Sequence, residues 1–159
     1  MSEETKRDGA AVRIPPPIIP VVGLGAGFAL SWMVGPLPNP LLGAARFAIA
    51  GILLAAGLGL MAAAIGLFRS TGQDPAPWES SPELIATGIY KFTRNPMYLG
   101  MGLMQGGLGI LFAELWSLLL VPVTWSVIYL IAIRHEAADL AEKFGEPYLD
   151  YKKQVRRWI

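Results

Sequence analysis

The chain contains no cysteine and a single histidine, His135. Disulfides, thiolate metal sites and cysteine nucleophiles are thereby excluded, and one chain cannot assemble a multi-histidine metal site. Charge is scarce as well. Asp, Glu, Lys and Arg make up 16% of the 159 residues, against about 25% in an ordinary soluble domain. The charges nearly cancel, leaving +1, so bulk charge gives no case for a nucleic-acid partner. No Gly-rich fingerprint follows a strand-like run, which argues against a Rossmann-type site. Apolar residues fill the space instead, at 53%, with 18 glycines and a mean hydropathy of +0.46. That balance predicts a single-domain, polytopic membrane protein.

Four apolar runs carry the expectation: about Ile18 to Leu37, Leu41 to Phe68, Pro96 to Ala113 and Leu115 to Ile133. Each is read as a membrane helix, because about 20 residues cross the hydrocarbon core. Pro15, Pro16, Pro17 and Pro20 mark the start of the first, where a missing N–H costs least. The second would be about 40 Å long and should tilt or protrude. Its Gly51, Ala55 and Gly59 repeat every four residues and predict a face of close helix packing. Arg46, near its start, reads as a side chain reaching the interface or as part of a site. Only Glu114 separates the third and fourth runs, which predicts a hairpin, either spanning or re-entrant. Pro122 is expected to bend the last helix.

The remaining stretches are polar. Residues 1–14 are expected to form a mobile tail, and the first run an uncleaved helix rather than a removed signal. Residues 15–159 are expected to form the one domain, with a loop at 69–95 and a C-terminal lid at 134–159. In the lid, Leu140, Phe144, Tyr148 and Tyr151 fall on one face of an amphipathic helix that should bend at Gly145 and Pro147. That face can lie on lipid or cover a ligand. Lys6, Arg7 and Arg13, then Arg69, Lys91 and Arg94, then the Lys and Arg residues of the lid, all precede or follow even numbers of runs. By the positive-inside rule both termini and the 69–95 loop are cytoplasmic. The fold class expected is therefore an all-α membrane bundle, about four transmembrane helices plus a cytoplasmic C-terminal amphipathic helix.

One stretch concentrates unusual side chains. Thr87 to Gly102, TGIYKFTRNPMYLGMG, joins a polar loop to an apolar run. Arg94-Asn95-Pro96 has the form of a helix start, with Asn95 as N-cap and Pro96 in the first turn. The free N–H groups of such a start suit an anion. Tyr90 and Tyr98 can cover a base or a sulfonium. Gly100 and Gly102 remove side chains where a ligand could approach backbone. Arg94 and Arg134 have an alternative role in headgroup contact, and Glu136 in an ion pair with Arg134.

The run LIATGIYKFTRNPMYLG, Leu84 to Gly100, resembles the signature of the isoprenylcysteine carboxyl methyltransferase family and its phospholipid methyltransferase relatives. HEAADLAEKFGEPYLDYKKQVRRWI, His135 to Ile159, resembles the family's second block, in the same order and spacing. The resemblance covers the C-terminal half; the first two runs match only as membrane spans. It implies an integral-membrane methyltransferase of the inner or cytoplasmic membrane. It implies S-adenosylmethionine held on the cytoplasmic side between the third helix, the fourth and the folded-back tail. Arg94 and Glu136 would be catalytic. Tyr90, Asn95, Pro96, Tyr98, Gly100, Gly102, His135, Tyr148 and Tyr151 would bind the cofactor, and no metal is implied. Phe144 and Gly145 also match the second block.

The chain departs from the family at Ala137, where many relatives have a second glutamate, and at Asn95, where many have histidine. The first bears on any role needing two carboxylates, and the second removes a proton carrier. The acceptor implied is a lipid or an apolar small molecule. Its nucleophile stays open: a carboxylate could be held by Arg94 or Arg134, whereas an amine or thiol must lose a proton, to Glu136 or to water. Phospholipid amine methylation and a non-catalytic membrane module are the alternatives. The cofactor should arrive from water through a pocket closed by the tail around Phe144 to Tyr151, and the acceptor from lipid between helices.

Overall fold

The computed structural model describes residues 14–41, 43–76 and 81–159, together with Val12 and Glu79. Lys6, Arg7 and Arg13, which belong to the expected mobile tail, lie outside the described residues. The described chain is helical, with no strand. In order it forms α1 (Ile18–Val34), α2 (Gly43–Ser70), a 3₁₀ turn (Gly88–Lys91), α3 (Pro96–Leu111), α4 (Leu115–Leu119) and α5 (Val121–Ile128). A π-helical turn (Tyr129–Ile133), α6 (Arg134–Phe144) and α7 (Glu146–Gln154) follow.

Among the described helices, α2 has both the length and the apolar character to cross a membrane, with 28 residues and a hydropathy of 2.3. Helix α1 is apolar but has 17 residues, and α3 has 16. The fourth expected span is not one continuous α-helix. Pro122 lacks an N–H, so the chain turns at Leu120 between α4 and α5, and the π turn interrupts it again. Four expected spans thus meet one helix of clear spanning length.

Helices α2 and α3 run antiparallel and touch through backbone. A Cβ placed on Gly57 would lie 2.8 Å from the Gly100 carbonyl oxygen, and one on Gly100 would lie 2.7 Å from that of Gly57. The buried face of α2 is Ala50, Gly57 and Ala64, spaced by two turns. The expected packing face, Gly51, Ala55 and Gly59, is exposed instead, with nothing within 4 Å of a Cβ at Gly51 or Gly59. Helix α2 is apolar all round, so hydrophobic periodicity cannot choose its inner face.

Polar side chains pin α1 to the opposite end of the bundle. Ser117 Oγ donates to the Leu24 carbonyl at 3.0 Å, and Gln105 Nε2 to that of Ser117 at 3.0 Å. Ser31 Oγ donates to Glu114 Oε1 at 2.7 Å, and Trp116 Nε1 to the Gly35 carbonyl at 3.0 Å. In apolar surroundings each such pair offsets a desolvation cost that an unpaired group would keep. Arg46 lies at this same end, its guanidinium 4.8 Å over the Phe47 ring. The candidate site is at the other end of α2, about 30 Å away.

Candidate functional site

The site is built where the end of α2, the 3₁₀ turn, the start of α3 and the two C-terminal helices meet. Pro96 is fully buried in the first turn of α3. Gly145 ends α6 at φ 56°, a left-handed conformation that glycine adopts without strain, and so turns the chain into α7. The turn directs Tyr148 and Tyr151 inward. They pack with Tyr90 and Ala64 in one apolar cluster, joined by Leu140 and Phe144. The amphipathic face expected for the lid is this packed face. Tyr151 Oη donates to the Tyr90 carbonyl at 2.7 Å, so α7 is hydrogen-bonded to the 3₁₀ turn.

The last residues return to the start of α3. The Arg94 N–H donates to the Arg156 carbonyl at 3.1 Å. Thr93 Oγ1 and Asn95 Nδ2 both donate to the Arg157 carbonyl, at 2.9 and 3.3 Å. Asn95 occupies the expected N-cap position of α3 but makes no side-chain capping bond, and its amide donates to the tail instead. Trp158 lies 5.4 Å from the Trp125 ring, and the Arg157 guanidinium 4.7 Å from that of Tyr129.

These elements surround a cavity that opens to solvent. Tyr90, Arg94, Asn95, Pro96, Tyr98, Glu136, Tyr148 and Tyr151 line it. The chain thus gathers in one place eight of the residues singled out from two separate sequence blocks. Three others lie elsewhere. Gly100 serves the contact with α2, and Gly102 lies against the Trp125 indole, with no room for a side chain. His135 accepts a hydrogen bond from Arg134 Nε at 3.3 Å, outside the cavity lining. Ala137, at the family's second glutamate position, lines the cavity and packs on the tyrosine cluster.

Glu136 is the central group. The Tyr98 hydroxyl donates to its Oε1. Burial raises its carboxyl from 4.5 to about 7; the Tyr98 hydrogen bond opposes this and the Asp139 charge adds to it. Burial also raises the Tyr90 hydroxyl above its ordinary value, helped by Glu136 and Tyr151. Tyr151 is raised to about 12 by burial, against the lowering influence of Arg94. Both tyrosines are therefore neutral walls at physiological pH, while Glu136 is poised between its two forms.

Arg157 also lines the cavity, although its sequence position suggested no more than a cytoplasmic charge. Nε of Arg94 and one terminal nitrogen of Arg157 are buried with no hydrogen-bond partner among the described residues. No signal in the sequence separates Arg157 from the neighbouring cations of the tail. Among the described residues no cluster of side chains suits a metal ion.

No curated protein matches the chain. The family model for phospholipid methyltransferase matches residues 45–147, well over half of it. The match takes in Tyr90, Arg94, Tyr98 and Glu136 and ends just before Tyr148. The chain therefore belongs to the phospholipid methyltransferase family, a family of methyltransferases for lipid-type substrates.

Proposed function

We propose that the protein is an integral-membrane methyltransferase that moves the methyl group of S-adenosylmethionine to a lipid-borne or apolar acceptor. The observation that carries this reading is the Glu136 carboxyl, which accepts from the Tyr98 hydroxyl and lines a cavity walled by tyrosines. A carboxyl so placed favours a cationic ligand, which restores the charge that burial suppresses. Tyrosine faces around it suit an ammonium or sulfonium. The unpartnered Arg94 nitrogen at the start of α3 suits a carboxylate. The side chains present therefore fit a ligand bearing both charges.

When bound, S-adenosylmethionine supplies an activated methyl group on sulfur. The protein's part is to hold and align the two partners and to exclude water. Tyr90, Tyr148 and Tyr151 supply a dry wall, and α6 and α7 cover it. Glu136 holds the cation, and for an amine acceptor it can take the displaced proton at neutral pH. Its ordinary partner Arg134 is exposed and bonded to His135, so Glu136 is left to the cavity.

We place the cavity at the cytoplasmic face of four membrane segments. Exposed apolar side chains on α1 and α2, among them Val21, Trp32, Ile52 and Leu58, support contact with lipid. Residues 115–133, though interrupted, are together about long enough to cross the hydrocarbon core. S-adenosylmethionine should bind the purified protein in detergent and be displaced by S-adenosylhomocysteine. Tyr98→Ala and Glu136→Ala should each weaken it about tenfold or more. Unchanged affinity in both variants would put the site elsewhere, and absence of binding would favour a non-catalytic module.

A further inference from the structure

We propose that Arg157, carried on the C-terminal tail, forms an oxyanion subsite that holds the phosphate of the acceptor's headgroup. The proposal rests on the cavity being the site of a lipid-acceptor methyltransferase and assigns which side chain reads the headgroup.

The Arg157 guanidinium lines the cavity, and one of its nitrogens is buried with no partner among the described residues. A buried N–H of that kind is an unmet donor. Guanidinium forks match the oxygens of a phosphate, which accepts several hydrogen bonds at once. The backbone of Arg157 is fixed over the start of α3, because Thr93 and Asn95 both donate to its carbonyl.

Position distinguishes the acceptor from the cofactor as the source of the oxyanion. The Arg157 guanidinium lies over Tyr129. Tyr129 is 40% exposed and its neighbour Leu130 49% exposed, on the outer surface of the π turn. Arg157 thus joins the cavity to an apolar outer surface, where a lipid headgroup arrives with its chains outside. Glu136 lies against Tyr98, itself 5% exposed. A headgroup with a phosphate and an amine would set its anion against Arg157 and carry the amine inward, while Arg94 and Glu136 keep the cofactor's charges. The shared chemistry is an oxyanion, and the cofactor's carboxylate is the other source.

The test is equilibrium binding by the full chain in detergent. The probes are dioctanoyl phosphatidylethanolamine and dioctanoylglycerol, the latter without a phosphate. The Trp125–Trp158 pair beside Arg157 gives an intrinsic fluorescence signal, and S-adenosylmethionine is titrated separately. Arg157→Gln should weaken the phospholipid about tenfold or more and leave dioctanoylglycerol and S-adenosylmethionine unchanged. Arg157→Lys keeps the charge without the fork and should bind the phospholipid more weakly than the wild type. Lys152→Gln, an exposed cation lost from α7, should change nothing.

Equal phospholipid affinity in wild type and Arg157→Gln overturns the proposal. Loss of S-adenosylmethionine affinity instead also overturns it, by assigning Arg157 to the cofactor. Should Arg157→Gln not fold, equal phospholipid affinity in Arg157→Lys overturns the forked contact. A wild type that binds no S-adenosylmethionine but binds the phospholipid through Arg157 would remove the methyltransferase reading and keep the subsite.

Discussion

Glu136→Gln isolates the charge that the proposed site depends on. Glutamine keeps the shape and can still accept from Tyr98, but it does not ionise. In the wild type the carboxyl is raised to about 7 because burial outweighs the Tyr98 hydrogen bond. A cationic ligand binds the ionised form better, so binding below that value requires a proton to leave. If only the ionised form binds, S-adenosylmethionine affinity should fall about thirtyfold from about pH 8 to about pH 5.5. In Glu136→Gln the affinity should be weaker by about tenfold or more at the higher pH and nearly independent of pH. Calorimetric titration in two buffers of different ionisation enthalpy reads both the affinity and the proton released. A flat profile in the wild type, or the same slope in both proteins, would refute the reasoning. The ligand-free protein gives a second reading of opposite sign. Its Glu136 lies above its ordinary 4.5, so the stability it contributes is present below 4.5 and lost as pH rises through about 7. Glu136→Gln should remove that part of the decline.

Other expectations concern packing and topology. Gly57→Leu should destabilise the protein by about 1–3 kcal/mol or more by forcing α2 from α3. Gly59→Leu, which meets nothing within 4 Å, should leave thermal unfolding in detergent within about 0.5 kcal/mol. Tyr151→Phe removes a buried 2.7 Å hydrogen bond to the Tyr90 carbonyl and should cost about 1 kcal/mol in the same assay. Reporter fusions after Gln73 and after Ile159 should both report the cytoplasm, and a signal from the other side at either would contradict the proposed topology.

The sequence made the helical class and the two site-forming blocks legible, because apolar runs and turn residues act locally. Pro96 opening α3, Gly145 breaking the lid and the inward face of Leu140, Phe144, Tyr148 and Tyr151 all follow from such local rules. What was not legible depends on tertiary contact. The inner face of α2 is set by the Gly57–Gly100 approach, which a helix apolar on every side does not announce. Pro122 signalled a disturbance, but not the turn at Leu120 or the π turn at Tyr129. Asn95 has the composition of a cap, yet the distant Arg157 carbonyl competes for its side chain and wins. Arg157 itself is one cation among several until the tail folds back.

The central claim is methyl transfer to a lipid-borne acceptor, and isotope transfer tests it most directly. Purified protein should be incubated with bilayer lipids and S-adenosylmethionine carrying a deuterated methyl group, and the extracted lipids analysed by mass spectrometry. The account predicts lipid species that carry the labelled methyl with wild-type protein and lose most of it with Glu136→Gln. Labelled lipid at equal levels in both would contradict the assigned site, and no labelled lipid in the presence of bound S-adenosylmethionine would contradict the proposed function.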